Sequence, residues 1–401
     1  MSGRRAGRAA LQALAATLAI QIYTSVAASA PAVLAPMLAA DLGISATWIG
    51  VFVGLLYAGA MLGSLGSGEF VARYGAIRVS QVSVLVCAIG IALMALTPRS
   101  ASALLVVAAV MMGIGYGPIT VASSELLART TPPDRMAITF SIKQTGVPAG
   151  AAIAGAALPA AALALDWRGA FLLVAAVAAV VAISAQPTRN ALDLRNPARK
   201  PLSLTAMLSP LRTIVRNPDL LELSISGFAL AAVQVCLSSF LVVYLTESLG
   251  WSLVAAGLAL TCATLAAVPG RILWGAIADR TRSATRVLAC IGFLACVCGA
   301  ALALAGPAWP AWTVLPLAAL YGFSAIGWNG VQLSELARRA PPGAAATVTG
   351  ASGFISFGGV MTGPIAFAAL AGATGGYRVG FAACALLSGA TALVLASRAA
   401  K

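Results

Sequence analysis

Apolar stretches almost free of charge recur along the whole 401-residue chain. Each approaches the ~20 residues that a helix needs to cross the hydrocarbon core of a bilayer. Inside that medium every backbone N–H and C=O must be paired within the segment, so helices are the expected form. Charged residues make up 9% of the chain, against about 25% in an ordinary soluble domain. The one sizeable polar stretch is 186–218. The reading is an all-α membrane protein with twelve transmembrane helices. They run near 11–38, 46–70, 79–97, 102–127, 136–163, 169–185, 220–245, 252–277, 286–305, 312–336, 345–371 and 379–397.

Several classes are disfavoured. The net charge of +14 suggests nucleic acid at first sight, but the basic residues sit in short loops between apolar segments rather than on one face of a soluble fold. No nucleic-acid partner is expected. All seven cysteines lie in apolar segments, and there is no histidine. Cys296-Val297-Cys298 lacks metal-ligand company, so neither a metal nor a cofactor is expected. The commonest general base is missing, and no cluster of acids or nucleophile with base is visible, so no catalytic residue is assigned. Arg4, Arg5 and Arg8 precede an apolar run too long for a signal peptide, which reads instead as the first membrane helix.

Orientation follows from lysine and arginine. With the N-terminus in the cytoplasm, twenty of the 25 basic residues fall on the inner side and only Arg99, Arg168 and Arg378 on the outer side. Lys143 and Arg271 lie within helices. The bias supports an even number of spans in a bacterial-type inner membrane, with both termini cytoplasmic.

The two halves repeat. Leu42, Gly43, Gly50, Gly63, Gly68 and Arg73 recur 207 residues later as Leu249, Gly250, Gly257, Gly270, Gly275 and Arg280. Glu125, Arg129, Trp167, Arg168 and Phe171 recur 210 later as Glu335, Arg339, Tyr377, Arg378 and Phe381. The expected organisation is a six-helix bundle over 1–186, a cytoplasmic linker over 187–218, and a second, pseudo-symmetric bundle over 219–401. Parallel repeats of this kind are expected to hold a substrate between them near the midplane. One chain supplies both halves, so a monomer in the lipid bilayer is expected.

At Gly68, Ala72, Arg73, Gly75 and Arg78, and again at Gly275, Asp279 and Arg280, the chain resembles the major facilitator superfamily. Its signature is Gly-x-x-x-Asp-Arg-x-Gly after helix two, with a weaker copy after helix eight. Alanine stands at position 72, where the family usually has aspartate, which puts half of the implied cytoplasmic clamp in doubt; Glu69 is close by. The resemblance implies alternating access. In helix eight, Arg271 lies four residues before Gly275, a pattern similar to monocarboxylate and oxalate-type carriers, where that arginine binds the substrate carboxylate. Ser141-Ile142-Lys143-Gln144-Thr145-Gly146 resembles cyanate-permease-like members.

Arg271 lies eight residues before Asp279, about 12 Å at the α-helical rise. Lys143 lies equally far from Arg135. A charge within a membrane helix costs at least ~2.5 kcal/mol and usually marks a pathway or a partner; snorkelling to the surface is the bland alternative. No acid is found at mid-membrane depth in the sequence, which favours an anionic substrate. Ala109 and Ala267 stand where relatives carry coupling groups. Proton coupling through a dedicated side chain is therefore not supported, and anion exchange, facilitated diffusion and a substrate-borne proton stay open. Gln21, Tyr57 and Gln332 are further polar residues in helices. The binding candidates are Arg271, Lys143, Gln144, Tyr23, Tyr116, Gln234, Trp328 and Asn329, and the gate candidates are Gly68, Glu69, Arg73, Gly75, Arg78, Gly275, Asp279 and Arg280.

The sequence thus points to a secondary or facilitative carrier of a small organic anion, a carboxylate foremost, with a proton or counter-anion as possible co-substrate. A drug exporter is the first rival and a non-transporting sensor or scaffold the second. Reporters fused to the two termini are both expected to read cytoplasmic; a reporter pair on opposite sides would overturn the even count.

Overall fold

A computed structural model describes residues 3–43, 48–98, 103–194, 204–251 and 253–399. Arg99, Arg195, Arg199, Lys200 and Lys401, used above for orientation, lie outside them, as does the middle of the expected linker. Among the described residues the regular structure is helical, without strands. In chain order the helices are α1 (Gly3–Val33), α2 (Ala35–Leu42), α3 (Trp48–Tyr74), α4 (Ala76–Ala95), α5 (Ala103–Thr130), α6 (Met136–Gln144), α7 (Gly146–Ser184) and α8 (Gln186–Leu192). Then follow α9 (Leu204–Arg216), α10 (Pro218–Val243), α11 (Leu253–Thr281), α12 (Ala284–Leu304), α13 (Ala311–Ala325), α14 (Asn329–Arg339), α15 (Ala345–Thr374) and α16 (Arg378–Ala399).

Eleven helical segments among the described residues are long and apolar enough to cross a membrane. One of them, Pro133–Leu192, has 60 residues, far more than a single crossing needs. It contains Asp166 at φ 60° and ψ 176°, a left-handed φ that breaks the helix. The Asp166 carboxylate accepts the Gly169 N–H at 2.8 Å, starting a new helix as an N-cap residue does. The segment is therefore two crossings, and the twelve expected spans are present. One expectation is refined: the tenth span is not continuous but split into α13 and α14 around 326–328. The expected linker region holds α8 and α9.

The chain divides into two compact units: Met1–Thr131 with Lys143–Asn217 and Leu336–Phe354, and Pro132–Ile142 with Pro218–Glu335 and Ile355–Lys401. In the first unit α3 and α5 meet through Gly59, Gly63, Gly113 and Gly117. A Cβ added to Gly59 or Gly63 would stand 2.5 or 2.7 Å from the carbonyl oxygen of Val110 or Ile114. Small residues four apart let backbones approach where lipid offers no hydrophobic drive. The second unit repeats the device: a Cβ on Gly270 would lie 2.5 Å from the Phe323 carbonyl oxygen, and Gly322 packs on the Ala263 carbonyl.

The sequence repeat is also carried by a clasp inside each unit. In the first, the Trp167 indole N–H donates to Asp41 at 3.2 Å, Arg168 pairs with the same carboxylate, and Arg168 also donates to the Thr97 carbonyl at 3.2 Å. In the second, the Tyr377 hydroxyl donates to Glu247 at 2.8 Å and Arg378 to the Ala305 carbonyl at 3.1 Å. An aromatic–arginine pair thus ties an acid at one helix end to a carbonyl at another. Phe171 and Phe381 are fully buried beneath these pairs.

Gly113→Leu is expected to prevent close packing of α3 on α5, since overpacking a tight contact costs ~1–3 kcal/mol or more. Size-exclusion of the detergent-solubilised variant should show aggregation or a markedly reduced folded yield.

Candidate functional site

The second unit builds a polar cluster around the break between α13 and α14. The Gly327 N–H turns back to the Ser324 carbonyl at 3.1 Å, so the Phe323 carbonyl lacks its usual i+4 donor. Trp274 supplies one, its indole N–H donating at 3.1 Å. Arg271, three residues earlier on the same face of α11, donates Nε to the Ile326 carbonyl at 3.2 Å and Nη2 to the Asn329 side-chain oxygen at 3.2 Å. Trp328 donates to the Gln234 side-chain oxygen at 3.1 Å. Gln332 donates to the Leu223 carbonyl at 2.7 Å. Four binding candidates, Arg271, Asn329, Trp328 and Gln234, therefore fall in one neighbourhood. Irregular backbone at membrane depth is tolerated where protein or a cavity satisfies it, and here Arg271 and Trp274 do so.

The first unit has its own cluster. The Lys143 ammonium donates to the Gln21 side-chain oxygen at 2.6 Å and to that of Gln144 at 3.0 Å. α1 comes close enough because Gly146 and Gly150 face it: a Cβ on Gly146 would stand 3.0 Å from the Gln21 side chain. Ser25 donates to the Val147 carbonyl at 2.6 Å, just past the interruption at Thr145. Lys143 and Arg271 are each only 2% exposed. Tyr23 does not join Lys143: it stands two residues after Gln21, roughly 200° around α1. Its hydroxyl is buried without a hydrogen-bond partner among the described residues. Tyr116 is half-buried on α5.

The gate candidates lie near helix ends. Asp279 accepts the N–H groups of Ala137 at 3.0 Å and Ile138 at 2.9 Å, capping the start of α6 with negative charge where the helix dipole favours it. Gly275 permits the approach, since a Cβ there would lie 2.5 Å from the Ser141 hydroxyl. Gly68 does the same in the first unit, against Thr347 at the start of α15, with 2.6 Å between a hypothetical Cβ and the Thr347 Cα. Position 72 is alanine, and the capping carboxylate comes instead from α5: Glu125 accepts the Ala346 N–H at 3.1 Å. Glu69 is half-buried on α3. Ala72, Glu125 and Ala346 line one cleft of about 170 Å³.

Gly75, at φ 92°, holds the turn from α3 into α4, and a side chain there would collide with Asp193. Asp193 accepts the N–H groups of Ile77 at 2.9 Å and Arg78 at 3.0 Å, tying the start of the linker to α4. Burial pushes the Asp193 carboxyl above the ordinary range, opposed by those two donors and by Arg129 and Arg189. The Arg78 side chain is exposed; Arg73 lies 5.6 Å from the Tyr74 ring centroid. Arg280 is exposed at the end of α11.

Four of these participants carry weak signals in the sequence. Gln21 is one polar helix residue among many. Trp274 could be found from its spacing to Arg271, which places both on one face of α11. Glu125 was visible only through its repeat partner Glu335. Asp193 lay in a polar stretch where an acid carries no signal.

Twelve apolar crossings among the described residues make this a multi-pass membrane protein. The chain belongs to the Major Facilitator Superfamily, whose sequence model matches residues 15–364. A hexuronate transporter of Bacillus subtilis (strain 168) is 26% identical over 155 residues, 39% of this chain. The chain spans 36% of the length of that curated relative. The solved fucose:proton symporter of E. coli shares the fold at TM-score 0.74 and 17% identity, over 96% of this chain and 97% of that one. The human organic anion transporter MFSD10 does so at 0.74 and 18%, over 98% and 100%. A bacterial homologue of the iron transporter ferroportin in an outward-facing state does so at 0.75 and 15%, over 97% and 99%.

Removing a capping carboxylate should cost about 1 kcal/mol for Glu125→Ala and about 2 kcal/mol for Asp279→Ala, in line with one and two capped N–H groups. Thermal unfolding of the purified variants measures the order, and Ala72→Asp is expected to restore the Glu125→Ala variant. Equal losses, or no rescue, would contradict these roles.

Proposed function

We propose that the chain carries a small organic anion, a carboxylate, across the inner membrane by alternating access, with both termini cytoplasmic and the monomer as the working unit. The observation that carries the reading is the pair of cations, Arg271 and Lys143, each 2% exposed in a membrane-spanning helix and hydrogen-bonded to amide and carbonyl oxygens. A guanidinium matches a carboxylate through its planar fork. Arg271 anchors the anion. Lys143 shares its charge, and Gln144, Gln234, Trp328 and Asn329 set orientation. Tyr23 and Tyr116 are secondary contacts. The names of two similar proteins are consistent with the class: hexuronates are sugar carboxylates, and the human neighbour is an organic anion transporter. The gate residues about Gly68, Glu69, Arg73, Gly75 and Arg78, and about Gly275, Asp279 and Arg280, hold one end closed in one state and release it in the other. Anion exchange, facilitated diffusion and co-transport of a substrate-borne proton are the modes open to it.

The test is thermal stabilisation of the solubilised protein by a panel of monocarboxylates, hexuronates and their neutral analogues. A specific anion should raise the melting temperature of the wild type and not of Arg271→Ala, and uptake into vesicles should fall at least tenfold in that variant. Stabilisation by neutral or cationic compounds alone would favour the exporter reading.

A further inference from the structure

Outside both polar clusters, the first unit has a groove of about 490 Å³ formed by α3, α4 and α5. Its walls include Phe70 and Tyr74 of α3, Val82 and Val86 of α4 and Ile114 of α5, with Arg78 at one end. Val82 is 51% exposed and Ile114 43%. These faces belong to membrane-spanning helices, so hydrocarbon covers them.

The polar end is what makes the groove selective. The Arg78 backbone N–H is fixed by Asp193, while its guanidinium is exposed and carries no hydrogen bond or ion pair among the described residues. Arg73 stands nearby against the Tyr74 ring, and tyrosine is the residue type favoured at a membrane–water interface. From Arg78 to Val86 is eight residues, about 12 Å along α4. Half of a hydrocarbon core is about 15 Å deep. The groove thus starts with a cation at the level of the headgroups and continues as an apolar slot through one leaflet.

We propose that this groove binds one anionic glycerophospholipid of the bilayer, its phosphate on Arg78 and an acyl chain along Val82, Val86 and Ile114. Basic pockets between membrane helices recognise anionic headgroups in this way. The charge complementarity of the groove's end selects an anionic lipid over a zwitterionic one of the same chains.

The full chain is reconstituted in nanodiscs of equimolar palmitoyl-oleoyl phosphatidylglycerol and phosphatidylcholine, and the lipids it retains on release are counted by native mass spectrometry. The wild type should keep one phosphatidylglycerol, about fivefold preferred, the selectivity one interfacial arginine supplies. Arg78→Gln, an exposed change, should abolish the preference while lipid is still retained. Val82→Trp should lose both lipids by filling the slot. Leu393→Trp, on the exposed face of α16, should behave as wild type. No preference in the wild type, an undiminished preference in Arg78→Gln, or full retention in Val82→Trp would overturn the assignment.

Discussion

A backbone amide inside a bilayer has no water to turn to, and the architecture depends on that constraint. It makes every span a helix. It also means that wherever a helix is interrupted, side chains must take over the freed groups. At 326–328 the donors come from α11, through Arg271 and Trp274. The breaks are therefore the places where polar side chains are required, which is why the candidate site and the irregular backbone coincide.

The internal repeat is a repeat of interactions more than of residues. Each unit has glycines that let neighbouring helices touch, and each has an aromatic–arginine clasp binding an acid and a carbonyl. The chemistry tolerates substitution: tryptophan and tyrosine both offer a ring and a donor, and aspartate and glutamate both accept. Position 72 shows the same tolerance. A helix start needs negative charge near its N–H groups, but not from one particular helix, so a glutamate on α5 serves at α15 while aspartate serves at α6.

Burying a lysine and an arginine is unfavourable unless something favours the charge. Here each is hydrogen-bonded to a side-chain amide oxygen of its own unit, which offsets part of that cost. In the lipid groove at the surface, a cation over an apolar slot matches an anionic amphiphile.

Much of this protein was legible in its residue order. Apolar length set the number of spans, the lysine and arginine bias set the expected orientation, and recurring glycines and arginines exposed the repeat. Arg271 and Lys143 stood out because a charge in a long apolar run is rare. These are one-dimensional signals, periodic or compositional. The partners were not legible: Gln21 for Lys143, Trp274 beside Arg271 at the helix break, Glu125 for the missing aspartate, Asp193 for the start of α4. Each is a common residue type in an unremarkable context, and it gains meaning only when a helix distant in sequence brings an unsatisfied backbone group or a charge within about 3 Å. Hydrogen bonds act at that range, and which groups come so close is a property of packing in three dimensions, not of the order of residues along the chain.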